Sequence, residues 1–179
     1  MDSNTHSSEQ PGRESVGQTD PLAALTAAVD RLANQNLHGL SDAVRAERVL
    51  ELRRLLDRLE GHWLSELAGV DARGAAGADQ GVPAPSTASW LRNRLRLSVA
   101  AASTSVRTAR ALFRGPLQAT AAALTAGQVS PAHASVVAAG TNDLPPHAAI
   151  KAEPALLQAA RRLDPPRLRR VLTLSLIHI

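Results

Sequence analysis

From Leu22 to Leu172 the apolar residues of this chain recur at steps of three and four, the period of a helix that buries one face. Residues 1–19 lack the pattern. They are rich in Ser, Gln, Glu and Gly, and are expected to form a disordered acidic tail. Asp20-Pro21 then reads as an N-cap followed by proline at the first helical position, opening PLAALTAAVDRLANQN. Ser41 opens a long helix on which Val44, Val49, Leu52, Leu55, Leu56, Leu59, Trp63, Leu67 and Val70 are expected to face the core. Pairs such as Glu47 with Arg54 and Asp57 with Arg58 are expected on its solvated side. DARGAAGADQGVPAPS, with its glycines and prolines, is a loop.

The second half of the chain repeats one grammar. Ser86 caps TASWLRNRLR, and Ser98 caps VAAASTSVRTARALF, which Gly115-Pro116 stops. On this second helix Val99, Ala102, Val106, Ala109 and Phe113 form an apolar stripe, with Ser103, Arg107, Arg110 and Arg114 as a polar stripe beside it. LQATAAALTA runs to Gly127, and Ser130-Pro131 opens AHASVVAAG. Residues 143–146 form a turn, EPALLQAARRL a helix, and Asp164-Pro165 caps PRLRRVL. The expected fold is all-α, a bundle of roughly seven or eight short helices with helix-turn-helix-like hairpins over 20–173.

Composition sharpens this picture. The chain is 44% hydrophobic but only 2% aromatic, so the core must be built from Leu, Val and Ala. Ala and Leu are also the strongest helix formers, and strand formers are scarce. The absence of cysteine excludes a disulfide framework and thiolate metal sites. The polar N-terminus is not a signal peptide, and the uncharged run from Gly115 to Asn142 is broken by Gly and Pro and is not a membrane span. A cytoplasmic location without membrane contact is expected.

Charge is what points to a partner. The net charge of +4 hides an asymmetry: residues 1–20 sum to −3, 21–80 to −2 and 81–179 to +9. No acid occurs between Asp79 and Asp143, where six arginines stand: Arg92, Arg94, Arg96, Arg107, Arg110 and Arg114. An acid-free arginine segment suits a polyanion, although a solvated arginine surface has the same composition. In the hairpin 86–113, a second helix presenting Ser103, Arg107, Arg110 and Arg114 could reach phosphates and base edges of duplex DNA. The hairpin 117–140 has an uncharged second helix and is expected to pack rather than read.

No catalytic constellation stands out. The six histidines have no metal-ligand spacing, and no serine lies in a G-x-S-x-G elbow. The glycine-rich loop lacks G-K-[ST]. His133, one turn into a helix among alanines, is expected to be a partly buried cap-region residue.

The combination of a long helix ending in VDARG, a glycine-rich loop, STASWL, RLRLS, AAALTAGQVSPAHASVV and EPALLQAARRLDPPRLRR resembles the actinobacterial domain of unknown function 222. The resemblance covers about residues 45–173. It implies the N-terminal helical part of an HNH endonuclease-type protein, an accessory domain associated with DNA. In such proteins a divalent metal and the catalytic residues belong to a separate C-terminal nuclease segment, so neither cofactor nor catalytic residue is expected on these positions. The partners implied are duplex DNA and that nuclease domain. A protein-interaction or self-association scaffold, or a helix-turn-helix regulator, would share the same helical pattern. The ending LSLIHI departs in composition from everything before it and matches one frame of a transposon-end adapter used in sequencing libraries. Residues 174–179 are therefore expected to be non-native and the chain a truncated reading frame, with packed helix ending near Leu172–Thr173.

Overall fold

The structure is a computed structural model that describes residues 20–77 and 84–176. The chain divides into two compact units, Met1–Asp42 and Ala43–Ile179. The expected acidic tail lies outside the described residues. All regular elements among those described are helical.

The first unit carries α1 (Pro21–Ala33). Asp20 caps it through its carboxylate, which accepts the Leu22 N–H at 3.1 Å, and Pro21 supplies the preset first φ. No residue of α1 is buried.

The second unit holds α2 (Asp42–Ala72), a 3₁₀ turn (Ala75–Gly77), α3 (Thr87–Leu95), α4 (Val99–Phe113), α5 (Gln118–Thr125), α6 (Pro131–Gly140), α7 (Pro146–Ala160) and α8 (Pro165–Leu176). Local chemistry sets most boundaries. Ser86, Ser98 and Ser130 accept backbone N–H groups at the starts of α3, α4 and α6, and Asp164 does so for α8. Gly127, at φ +71, ends α5 with the Gln128 N–H bonded back to the Ala123 carbonyl, a left-handed C-terminal cap. The same job after α3 falls to Arg96, the one non-glycine residue at positive φ (55°) among those described.

Packing follows the small residues. α4 and α6 lie against each other at the centre; α3 packs on α4, α8 on α6, and α5 touches α4, α6 and α7. Ala102, Ala109, Leu112, Leu117, Leu124, Ala134, Val137 and Leu168 are fully buried, while Trp63, Trp90 and Phe113 sit half-buried at the edge of this core. Alanine at the crossings lets helix axes approach closely. Gly61 does the same for α2, where an added Cβ would meet Leu124 at 3.1 Å and Thr125 at 3.2 Å.

α5 is capped from a distance. Leu117 at its N-cap has no side chain able to accept, and the carboxylate of Glu153 on α7 takes the Thr120 N–H at 2.7 Å instead. Glu153 is buried, and its negative charge lies at the positive end of the α5 dipole.

Three expectations need correction. α7 does not begin at Glu153: it starts at Pro146 and runs through Pro154, whose missing N–H leaves one helical bond unmade. α8 does not stop near Thr173 but continues to Leu176; residues 177–179 lie outside the described residues. The largest departure is the phase of α2. Leu67 is buried and Trp63 half-buried as expected, but Val44, Val49, Leu52, Leu55, Leu56 and Leu59 are exposed. The line that meets the bundle is Asp57, Gly61, Leu64 and Ala68. Asp57, expected in solvent, is 8% exposed and takes Arg53, one turn earlier, as its ion-pair partner. At Gly61 the approach to α5 leaves no room for a side chain, which sets the face that also buries Leu64, Leu67 and Ala68.

Among the described residues no helix is long and apolar enough to cross a membrane.

Candidate functional site

Arg107, Arg110 and Arg114 are spaced three and four residues apart and therefore share one edge of α4. The rest of that helix is committed to the interior: Ala102, Val106, Thr108, Ala109 and Leu112 are all buried. Val99, expected in the apolar stripe, is 63% exposed, and Leu112 takes up the inward role instead.

That edge forms one wall of a concave site of about 680 Å³. Asp71 and Ala72, at the end of α2, close one side; Thr141, Asn142 and Leu144, in the turn after α6, close the other. Gly115 and Pro116 complete the rim. Three arginines and one acidic residue, Asp71, line the site.

Arg110 and Asp71 form a two-pronged ion pair, Nε to Oδ2 at 2.6 Å and the second guanidinium nitrogen to Oδ1 at 2.7 Å. The Arg110 side chain remains 60% exposed while Asp71 is 12% exposed. The hydrogen bond from Arg110 holds the Asp71 carboxyl below its ordinary range, against the opposing effect of burial, with a smaller contribution from the Thr87 hydroxyl. The same bond raises Arg110. Asp71 thus ties the end of α2 to α4.

The seven residues expected to contact DNA divide into two groups. Arg107, Arg110 and Arg114 converge on the concave site. Arg92, Arg94 and Arg96, on α3 and its C-cap, and Ser103, earlier on α4, are exposed but do not line it. No sequence pattern singles out Asp71, Thr141 or Asn142 as members of the site. Asp71 lies 39 residues from Arg110, and no local spacing couples them.

The helix-turn-helix expectation is met in connectivity. α3 and α4 are joined by a tight turn, and α4 packs on α3, α5 and α6, while Ser103, Arg107, Arg110 and Arg114 on its polar edge are exposed.

His133 proves to be a structural link. Its Nε2 lies 2.8 Å from the Leu163 carbonyl, which can only accept, so Nε2 carries the hydrogen. In the neutral ring Nδ1 then accepts from the Ser130 hydroxyl, 2.7 Å away. The cap of α6 is thereby tied to the turn before α8. Among the described residues no group of three His, Asp or Glu side chains could hold a metal ion.

No curated protein and no solved structure matches the chain. The family model described as Domain of unknown function (DUF222) matches residues 43–174, a span that begins one residue into α2 and ends within α8. The chain belongs to the DUF222 family.

Proposed function

We propose that this bundle is an accessory domain that holds the phosphate backbone of duplex DNA for an HNH endonuclease-like protein. Arg107, Arg110 and Arg114 are the residues that hold it. What carries the reading is the convergence of three arginines on one concave site, in a stretch of chain with no acid from 80 to 142. A hollow of this shape favours a backbone oxyanion over a base edge, because a phosphate protrudes from the duplex whereas bases must be reached within a groove. Arg92, Arg94, Arg96 and Ser103 add to the polar surface that attracts the duplex without lining the hollow.

The test is the salt dependence of binding. Replacing Arg107 and Arg114 by Ala leaves the Arg110–Asp71 pair in place, and Ala keeps the helix. Duplex affinity should fall, and the log–log salt slope should flatten by roughly 0.9 unit for each phosphate no longer neutralised. The pair Arg169→Ala and Arg170→Ala, exposed on α8, removes the same charge elsewhere and should leave the slope nearly as it was. A folded Arg107→Ala/Arg114→Ala protein with an unaltered slope would overturn the reading.

A further inference from the structure

The arginine hollow is larger than a phosphate and is not polar throughout. Its volume of about 680 Å³ lies within the roughly 300–1,000 Å³ of sites that enclose a whole small molecule. Beside the arginines and Asp71, its lining includes Ala72, Ala111, Pro116, Ala138, Leu144 and Pro146, contributed by α2, α4, α6 and the turns beside them. These side chains offer no donor to a phosphate oxygen. A phosphate held at the arginines alone would leave that apolar lining wet.

Three arginines against one aspartate leave two positive charges along the site. The ends of α2, α4 and α6 meet there, but the turns that follow take up their last carbonyls. The N–H groups of Arg73 and Gly74 return to Gly69 and Asp71, and those of Arg114 and Leu117 to Arg110 and Ala111. Those of Thr141 and Asn142 return to Val137 and Ala139. Little of each helix's negative end is therefore left unpaired to oppose an anion. A phosphodiester within a strand carries a single negative charge. A phosphomonoester at a strand end carries about 1.5–2 near neutral pH and presents three acceptor oxygens, a match for two charges and for the forked donors of arginine.

We propose that the hollow seats the terminal nucleotide of a phosphorylated DNA strand. The phosphomonoester lies on Arg107 and Arg114, with the sugar and base against the apolar lining. This rests on the reading of those arginines as phosphate contacts and goes beyond it, because it makes the domain a receptor for strand ends. An end also suits a concave site in a way that continuous duplex does not. Within a duplex the bases are stacked and only the phosphates protrude, whereas the last nucleotide of an overhang is already unpaired and can enter whole.

The test uses the full chain and hairpin duplexes that have one open end with a short single-stranded overhang. The terminal nucleotide carries a 5′-phosphate, a 3′-phosphate or hydroxyl groups only. One of the phosphorylated ends should bind about tenfold more tightly than the hydroxyl end, the gain from one solvent-screened, charge-assisted contact. Arg107→Ala/Arg114→Ala should lose that preference. A nucleoside monophosphate should compete for the phosphorylated end where inorganic phosphate at equal ionic strength does not, because only the nucleotide covers the apolar lining. A preference that survives Arg107→Ala/Arg114→Ala, or inorganic phosphate competing as well as the nucleotide, would overturn the proposal. Closed circular duplex, which has no end, separates this proposal from the backbone reading. If phosphorylated and hydroxyl ends bind alike while Arg107→Ala/Arg114→Ala still flattens the salt slope on circular duplex, end binding falls and the backbone reading stands. If that slope is unaltered as well, both fall.

Discussion

Asp71 sits where stability and anion binding pull in opposite directions, so its replacement by asparagine separates them. The substitution keeps the shape and one carbonyl acceptor for Arg110 and Thr87 but removes the charge. Charge-assisted hydrogen bonds are worth roughly 1.5–3 kcal/mol when desolvated. The Arg110 end of this pair is 60% exposed, so solvent screening reduces the loss to about 1 kcal/mol. For a bound phosphate the sign reverses. A carboxylate about 6 Å from the phosphate, at an effective dielectric of about 40, repels it by about 1.4 kcal/mol, which physiological salt roughly halves. Asp71→Asn should therefore bind duplex DNA about threefold more tightly while unfolding at lower urea. Fluorescence anisotropy at two salt concentrations and urea titration followed by circular dichroism would measure the two effects. The stability difference should also depend on pH. Because the folded state holds the Asp71 carboxyl below 3.8, its contribution is fully present above that value and is lost as pH falls through the lower folded value. Wild type and variant should converge in acid. A folded Asp71→Asn protein that bound DNA no better, or worse, than wild type would refute the assignment of this hollow as the phosphate site.

Glu153→Ala should destabilise the bundle by about 2–3 kcal/mol in urea, since it strips the cap from α5 and leaves the Thr120 N–H without its acceptor; Glu153→Gln, which keeps the acceptor, should cost about 1 kcal/mol. A loss in the alanine variant no greater than in the glutamine one would show that the bond contributes little. Thr120→Val should stabilise by about 1 kcal/mol, because the fully buried Thr120 hydroxyl has no hydrogen-bond partner among the described residues and valine fills the same volume without the desolvated oxygen. Lower thermal stability of that variant would imply a partner for the hydroxyl.

The sequence by itself determined the class of the fold and the ends of most helices, because those are local properties. Serine before an apolar run, proline at a first turn and glycine after a last one act through bonds spanning a few residues, so Ser86, Ser98, Ser130, Asp164 and Gly127 could be placed correctly from spacing alone. The start of α7 escaped because a proline in mid-helix, Pro154, reads as the opening of a helix when only its neighbours are considered. The resemblance to the DUF222 family was likewise legible, since it resides in the order of short motifs. Tertiary structure alone decided which face of each helix is inside. On α2 hydrophobicity pointed to Val49–Leu59, but the close approach to α5 selects the face that carries Gly61, and the leucines are left outside. On α4 spacing placed three arginines on one edge; only packing showed that they line a concave site and that Asp71, from another helix, is set against Arg110. Periodicity records that a helix has an apolar side. Whether that side meets its own domain depends on the volumes of residues far away in sequence, which no local pattern encodes.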